Sequence, residues 1–179
     1  MLDSINNRRS LIALSLMVAI AVAIFVFGFR HTIAAQTSDE AVVRDVLLKS
    51  AQGFERNDLA LLNKIWANDE ALTVFEQGHA NYGWTDYRDN HLVPEMREMK
   101  NTKYALDDMK IHLAGKTAWA TFKYTISADV DKKHISGGGL GSAVLEARDG
   151  RWQIVHWHSS APRRPPTSSP TPAKKTKAK

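Results

Sequence analysis

The chain contains no cysteine among its 179 residues. This excludes a disulfide framework and any metal site built on thiolates. The sequence also has no His-Glu-x-x-His zinc pattern and no dinucleotide-binding glycine fingerprint. The glycine-rich run at residues 137–142 lacks the Gly-Lys-Ser/Thr ending of a phosphate-binding loop, so we expect it to serve sheet curvature or a bulge. These patterns predict no cofactor.

Positive charge is concentrated at the two ends of the chain. The formal net charge is +5, yet residues 38–161 contain 15 Lys/Arg and 18 Asp/Glu. A nucleic-acid-binding protein needs a basic stripe or patch on its folded surface, and a mildly acidic body does not provide one. We therefore expect no nucleic-acid partner.

One long apolar run lies near the amino end. Residues 11–29 are nineteen residues without a charged side chain, and two arginines precede them. As a helix this run would span roughly 28 Å, close to the hydrocarbon thickness of a bilayer. The positive-inside rule then predicts a cytoplasmic segment at 1–10, a single transmembrane anchor at 11–29, a linker at 30–37 and an extracytoplasmic domain. The alternative is a signal peptide cleaved near Ala35, which would leave the domain secreted or periplasmic.

The carboxyl end has the composition of a disordered tail. Residues 162–179 hold five prolines and six basic residues but no large apolar side chain. Such a segment cannot bury enough apolar surface to offset the entropy lost on ordering. We predict that 162–179 is disordered.

The body between these ends changes its hydrophobic period part-way along. Apolar residues at helical spacing over 38–66 and 84–99 predict two to three helices, with Pro94 interrupting or restarting the last one. Beyond residue 101 apolar and polar residues alternate, and Asp149-Gly150 is a strong hairpin signal. This order predicts an α+β domain whose helices pack on one face of a curved antiparallel sheet.

Several short motifs of the body occur in an order typical of one family. They are Val74-Phe75-Glu76 with Gly78, residues 83–92, Pro94-Glu95, residues 141–146 and residues 149–159. On these motifs, residues 38–161 resemble a SnoaL-like domain of the nuclear transport factor 2-like superfamily. The resemblance is strongest to the branch that includes the association domain of calcium/calmodulin-dependent protein kinase II.

That resemblance implies a cone-shaped fold, a homodimer formed through the sheet, and a pocket between the sheet and the helices. The superfamily hosts many chemistries, so the resemblance predicts the fold better than the activity. The aspartate base and the Tyr/Asp pair expected of ketosteroid isomerases cannot be assigned to matching positions here. Ketosteroid isomerase activity is therefore not expected.

The last strand carries two histidines. Strand alternation predicts that Trp152, Ile154, His156 and His158 share one face, which would form a pocket wall bearing two imidazoles. Histidine titrates near neutral pH, so this pair could shuttle a proton. The alternative is that one histidine is hydrogen-bonded in the core while the other lies at the rim.

Glu76 is expected to point inward, because it shares a strand face with Leu72 and Val74. Burial would then raise its pKa and suit it to general acid catalysis. Alternatively, Glu76 lies past the strand end and caps a turn. Tyr124 is expected either to line the pocket or to pack in the core with its hydroxyl satisfied.

A predicted helix contributes a second group of polar residues. Tyr87, His91 and Glu95 are spaced four residues apart and would share one helix face. Arg88 beside them would either clamp a ligand carboxylate or form a surface ion pair with Asp89 or Glu95.

The candidates fall into two sets. The catalytic candidates are His156, His158, His91 and Glu76, and the ligand-binding candidates are Tyr87, Arg88, Glu95, Tyr124 and Trp152. The favoured function is a pocket for an unidentified small organic molecule. The alternatives are a cofactor-free enzyme that isomerises, dehydrates or cyclises its substrate by proton transfer, and a pure oligomerisation domain. The family resemblance places the helix that bears His91 over the same sheet, so we expect His91, His156 and His158 to face one cavity. A zinc ion bound by these three histidines is a further alternative, but no local spacing supports it and no metal is predicted.

Two tryptophans are expected on the outer sheet face. Trp119 and Trp157 alternate with Tyr124 and His156 respectively, which places them opposite the expected pocket. Bulky aromatic residues there are typical of a sheet-to-sheet interface. They predict a homodimer.

Overall fold

The computed structural model describes residues 38–162. The expected cytoplasmic segment, membrane anchor, linker and possible cleavage site, and the tail beyond Pro162, lie outside the described residues. Within the described part, no helix combines the length and the apolar composition needed to cross a membrane.

Two helices open the domain. Helix α1 covers residues 38–55 and helix α2 covers Leu59–Ile65. The Asp58 carboxylate accepts a 2.9 Å hydrogen bond from the Leu61 backbone N–H, and this caps the start of α2. Val43 and Leu47 of α1 and Leu62 of α2 are almost completely buried against the sheet.

A third helical stretch follows a short hairpin and contains a widened turn. It consists of α3 (Trp84–Tyr87), a π-helical turn (Arg88–Leu92) and α4 (Val93–Glu98). The Val93 N–H bonds to the Arg88 carbonyl, five residues back. Pro94 lacks an N–H and would crowd the carbonyl four residues before it, so the wider turn accommodates the proline without breaking the helix. The predicted helix over 84–99 is confirmed.

Six strands form one sheet with the order β2-β1-β6-β5-β4-β3. Their ranges are β1 Thr73–Glu76, β2 His79–Tyr82, β3 Lys100–Ala114, β4 Thr117–Val130, β5 Lys133–Arg148 and β6 Arg151–Ser160. The α+β class is confirmed, but the expectation of a wholly antiparallel sheet is wrong, because β1 and β6 pair in parallel. The helical stretch and three long strands between β1 and β6 supply the long connection that a parallel pair requires.

The turn and glycine residues of the sheet occupy positions that suit their backbone freedom and size. Asp149 and Gly150 both have positive φ, at 50° and 74°, as a type I′ hairpin turn requires. Gly141 lies opposite Phe122, and a Cβ at Gly141 would overlap the phenylalanine ring. The β4–β5 register is continuous past residues 137–142, so this glycine run does not form a bulge between the two strands, and Gly141 makes room for an aromatic ring.

A bulge occurs instead between β5 and β6. Val144 pairs with His156 while Leu145 pairs with Ile154, so Val155 is an extra residue on β6. One extra residue in a strand reverses the face on which every later side chain emerges.

This reversal corrects two predictions about β6. Trp152 and Ile154, before the bulge, face the helices and are buried, but His156 and His158, after it, face the opposite side. Trp157 faces the helices and is only 2% exposed. It therefore does not lie on the outer sheet face, where we expected it.

Aromatic rings fill the core between the helices and the sheet. The Trp66 ring lies 5.1 Å from Tyr87, 6.0 Å from Trp84 and 5.7 Å from Trp157, measured between centroids. Trp157 also contacts Phe122, at 4.9 Å. This cluster joins the end of α2 to α3, β4 and β6, and its members Trp66, Tyr87 and Trp157 also line the cavity described next.

Candidate functional site

A cavity of about 850 Å³ lies between the helices and the inner face of the sheet. Its volume is within the range typical of small-molecule sites. Its lining combines apolar and aromatic side chains with polar and ionisable ones, several of which belong to the β1–β2 hairpin. The lining includes Phe54, Leu62, Trp66, Met99, Tyr104, Tyr124, Ile126 and Trp157, together with Glu76, His79, Tyr87, His91, Glu95 and Ser159.

Glu76 occupies the point where β1 meets this cavity. It is the last residue of β1 and pairs in register with Ser159 of β6. The Tyr87 hydroxyl donates to Glu76 Oε2 and the Ser159 hydroxyl donates to Oε1, each at a donor–acceptor distance of 3.4 Å. These contacts are long, and only 17% of the Glu76 side chain is exposed. The carboxylate is therefore largely removed from water without strong compensating hydrogen bonds.

His91 extends from the π-helical turn towards this carboxylate. Its Nε2 lies 3.7 Å from Glu76 Oε2 and 3.4 Å from Glu95 Oε1. The ring also meets the Tyr87 ring edge to face, with centroids 5.5 Å apart. One imidazole nitrogen thus faces two carboxylates, one buried and one half-exposed.

The environment raises the pKa values of both groups. Burial raises the pKa of Glu76, against the opposing charge of His91. The hydrogen bond to Glu95 raises the pKa of His91, and the Glu76 carboxylate adds to this effect, while partial burial opposes it. Because the two groups interact closely, their protons are gained and lost as a coupled pair. A carboxyl and an imidazole poised in this way can exchange a proton with each other or with a bound molecule.

Three tyrosines surround the polar end of the cavity. Burial raises the pKa values of Tyr87, Tyr104 and Tyr124, and the negative charge of Glu76 raises them further. Their hydroxyls therefore remain protonated at neutral pH. The Tyr87 hydroxyl donates to Glu76, whereas those of Tyr104 and Tyr124 are available as donors to a carbonyl oxygen or to a developing negative charge.

The charges of the lining have one dominant sign. Among the described residues that line the cavity there are two carboxylates, Glu76 and Glu95, and no lysine or arginine. An anionic ligand would meet no lysine or arginine in this lining and would be repelled by the two carboxylates. The cavity is better suited to an uncharged molecule with an apolar body.

The structure brings together five of the residues singled out from the sequence. Glu76, Tyr87, His91, Glu95 and Tyr124 all line the cavity. The spacing of four residues along the helix places Tyr87, His91 and Glu95 on one side, and the π-helical turn preserves this alignment.

Arg88 and Trp152 do not join this group. The Arg88 guanidinium pairs with Asp89, with nitrogen–oxygen distances of 2.6 and 2.8 Å, and does not line the cavity. Trp152 is buried in the core before the β6 bulge and also lies outside the cavity lining. The structure therefore does not place Arg88 or Trp152 in the cavity lining, where we predicted them.

The two histidines of β6 lie on the outer face of the sheet. His156 Nδ1 is 2.7 Å from the Thr73 hydroxyl, and burial lowers its pKa. His158 is exposed and lies opposite Ser142 of β5. The expected convergence of His91, His156 and His158 is therefore wrong. Within residues 38–162, no cluster of three or more potential metal ligands occurs.

The residues that sequence reasoning missed include four polar ones in or beside the cavity. Tyr104 of β3 and Ser159 of β6 line the cavity directly, and His79 of β2 lies with its ring 6.0 Å from that of His91. Asn81 of β2 hydrogen-bonds to His91. The two-residue turn at Gln77-Gly78 indicates the hairpin that carries His79 and Asn81, but its short, exposed second strand has no hydrophobic pattern that would identify its inner face.

The fold and the cavity agree with a comparison against family models. The model described as the SnoaL-like domain matches residues 43–164, well over half of the chain. The chain belongs to the SnoaL-like family. This match confirms the family predicted from the motifs of the body, and the SnoaL-like domain coincides with the part that the structure describes.

Solved structures related to this SnoaL-like domain share its fold. An NTF2-like superfamily protein from Salmonella enterica is 19% identical, with a TM-score of 0.66, and covers 73% of this chain and 94% of its own. A proposed dehydratase of the NTF2-like family from Streptomyces avermitilis is 15% identical, with a TM-score of 0.66, and covers 72% and 99%. A hexachlorocyclohexane dehydrochlorinase from Novosphingobium barchaimii is 14% identical, with a TM-score of 0.62, and covers 74% and 92%.

At these identities the solved structures show the fold alone. No protein of curated function matches the chain in sequence. The particular likeness to the kinase association domain stays a prediction. The chemistry of the SnoaL-like domain must therefore be argued from its own cavity.

Proposed function

We propose that this SnoaL-like domain is a cofactor-free enzyme that transfers a proton within a small, uncharged organic molecule. The observation that carries the proposal is the contact between buried Glu76 and His91 in the wall of the cavity, with Nε2 3.7 Å from Oε2. An oligomerisation domain has no need for a partly buried carboxylate paired with an imidazole inside a cavity. Binding without catalysis is the second candidate, and the cavity volume supports it equally.

The chemistry follows from the protonation states. In its ionised form Glu76 would remove a proton from a carbon next to a carbonyl group, and its raised pKa makes it a stronger base than an exposed glutamate. The carbonyl oxygen would accept a hydrogen bond from a tyrosine hydroxyl such as that of Tyr124 as negative charge develops. Glu76 or protonated His91 then returns the proton to another atom of the molecule, or to a leaving group. The first outcome is an isomerisation and the second an elimination.

Proton transfer in the cavity can be tested without the natural substrate. The protein is incubated in deuterated water with a panel of uncharged cyclic ketones, and deuterium uptake by each compound is measured by mass spectrometry. Removal and return of a proton is sufficient to incorporate deuterium. We expect uptake from at least one apolar ketone and none from the matched carboxylates. If no compound exchanges faster than in protein-free solution at any pH tested, catalysis is refuted and the binding function is left.

The rate of exchange should depend on pH in a bell shape. It rises as Glu76 ionises and falls as His91 loses its proton. Since burial raises the pKa of Glu76 and the carboxylates raise that of His91, both limbs should lie above the ordinary values of 4.5 and 6.5. The two limbs report the coupled pair rather than either residue alone.

We also propose that the outer face of the sheet forms a homodimer interface. Trp119 stacks on His112 there and is 44% exposed, and Phe75 and Leu140 are exposed on the same side, at 37% and 63%. Apolar and aromatic side chains are thus spread across strands β1, β4 and β5 of one face. A standard interface buries about 1,600 Å² in total, which an extended sheet face provides.

Replacing Trp119 with glutamate tests the dimer. A charge at the centre of an apolar interface is costly to desolvate, so Trp119→Glu should yield monomers where the wild type is a dimer. The matched control is Leu48→Glu, which places the same charge at a similarly exposed position on α1. Light scattering on residues 36–161 measures the result. A wild-type domain that stays monomeric at high concentration contradicts the proposal.

The location of the domain outside the cytoplasm, attached through residues 11–29, is also a proposal. It is supported by the apolar run and by the two arginines that precede it. Protease added to spheroplasts should digest the SnoaL-like domain without lysis. Complete protection of the full-length protein would overturn this placement.

A further inference from the structure

A chain of hydrogen bonds extends behind His91, away from the cavity. His91 Nδ1 lies 2.9 Å from the side-chain oxygen of Asn81. The Asn81 amide nitrogen donates in turn to Asp86 Oδ2, over 3.0 Å. Asp86 also accepts from the Tyr82 backbone N–H at 3.0 Å and from the Asn90 side chain at 2.8 Å. The β2 strand and the helical stretch after it are thereby joined through one carboxylate.

The charge of Asp86 determines the orientation of the Asn81 amide. Hydrogen bonds from Asn90 and Asn81 hold the pKa of Asp86 below its usual range, so at neutral pH it accepts hydrogen bonds and donates none. The Asn81 NH₂ group must therefore face Asp86. The Asn81 oxygen then faces His91, and an oxygen acceptor requires a proton on His91 Nδ1.

We propose that Asn81, oriented by Asp86, is a positioning residue that fixes neutral His91 with its proton on Nδ1. The cavity then always faces Nε2, which becomes the single nitrogen of this ring that gains and loses a proton. The role of that nitrogen in catalysis rests on the proposed function, whereas the tautomer itself is a property of the free protein.

The groups around the ring compete for its single proton: the two carboxylates favour Nε2, whereas the Asn81 oxygen favours Nδ1 and makes the shortest contact, 2.9 Å against 3.4 and 3.7 Å. Glu76 from β1 and Glu95 from α4 face Nε2, while Asn81 from β2 faces Nδ1. The Tyr87 ring and the His79 ring meet the imidazole edge to face, at 5.5 and 6.0 Å. When Nε2 is protonated it can donate towards a carboxylate, and when it is not, its lone pair faces the cavity as a base. With the proton on Nε2 and none on Nδ1, the Nδ1 lone pair would oppose the Asn81 oxygen.

The test uses nitrogen-15 NMR of the histidine rings in the full-length protein without ligand. The His91 signals are identified by their absence in His91→Gln and are read above the pH at which the ring becomes neutral. Wild-type His91 should show a protonated Nδ1 and an unprotonated Nε2. Asn81→Leu removes the acceptor with little change in size, and the tautomer ratio should shift by about fivefold towards protonated Nε2, the effect of one ordinary hydrogen bond.

The matched control is Asn90→Leu. Asn90 also donates to Asp86 but does not contact His91 in the described structure, so this variant should keep the wild-type tautomer. The exchanged pair Asn81→Asp with Asp86→Asn keeps an oxygen facing His91 and should restore protonated Nδ1. This rescue distinguishes the role of the acceptor from a general loss of structure in Asn81→Leu.

Every result of these NMR measurements either supports or overturns the role of Asn81. A wild-type His91 protonated on Nε2 overturns it, and so does an unchanged tautomer in Asn81→Leu. Equal shifts in Asn81→Leu and Asn90→Leu, or failure of the exchanged pair to restore the ratio, would show that Asn81 does not act through its oxygen. The result is independent of the proposed function, because the tautomer is measured without any substrate. Loss of deuterium exchange and loss of the tautomer can therefore be told apart.

Discussion

Glu76→Gln should abolish deuterium exchange in the ketone assay while leaving the cavity intact. Glutamine has almost the same shape, can keep an acceptor for the hydroxyls of Tyr87 and Ser159, and cannot act as a base. Loss of a general base costs about 10²–10⁴-fold in rate. The comparison is made at the pH of maximal wild-type exchange.

The matched control for this variant is Glu146→Gln. It removes the same charge from β5 at a residue paired with Arg148, outside the cavity lining. Exchange by the control should equal that of the wild type. A general base contributes at least about 100-fold to the rate. If Glu76→Gln retains more than about a tenth of the wild-type rate, the loss is too small and Glu76 is not the base.

The same variant should change how stability depends on pH. Because the folded protein raises the pKa of Glu76, the contribution of its protonated form is fully present below 4.5 and is lost as pH rises through the raised value. Glutamine remains neutral throughout. Thermal melts should therefore show Glu76→Gln gaining stability relative to wild type as the pH is raised from below 4.5 to neutral.

Trp157→Ala should be among the most destabilising substitutions in the domain. The side chain is 2% exposed and its ring contacts both Trp66 and Phe122 in the aromatic core. Removing a buried aromatic ring costs about 3–5 kcal/mol through lost burial and the cavity left behind. Chemical denaturation measures the change as a lowered midpoint with a similar slope.

Trp119→Ala provides the comparison, because it removes the same side chain from the outer sheet face. Trp119 is 44% exposed and rests mainly on His112, so the isolated domain should lose about 1 kcal/mol or less. The comparison is made at protein concentrations low enough to keep both variants monomeric. Equal losses would contradict the assignment of the two tryptophans to opposite faces.

The sequence was sufficient to predict the class of the fold and much of the cavity, because both depend on regular periods. Helical spacing identified Tyr87, His91 and Glu95, and strand alternation identified the inward direction of Glu76. The π-helical turn before Pro94 did not disturb this result, because the three residues still meet on one side of the helix.

The last strand could not be predicted in the same way. A single extra residue at Val155 reverses the faces of His156, Trp157 and His158, and nothing in the local composition indicates it. Val155 is itself apolar and buried, so the strand looks regular in sequence. Asn81 was missed for another reason. Its role depends on its hydrogen bonds to Asp86 and to His91 of the helical stretch after β2, and the sequence does not reveal these contacts.

The parallel pairing of β1 with β6 determines the order in which the domain can assemble. Thr73 and His156 are neighbours in the sheet although 83 positions separate them, and among the described strands β2 is joined to the sheet only through β1. Bringing such distant segments together requires a large loss of chain entropy before the contacts form. Glu76 and Ser159 belong to the two strands of this pair. The domain therefore cannot complete its cavity until its final strand has been synthesised, and an incompletely extended chain has neither a closed sheet nor an assembled site.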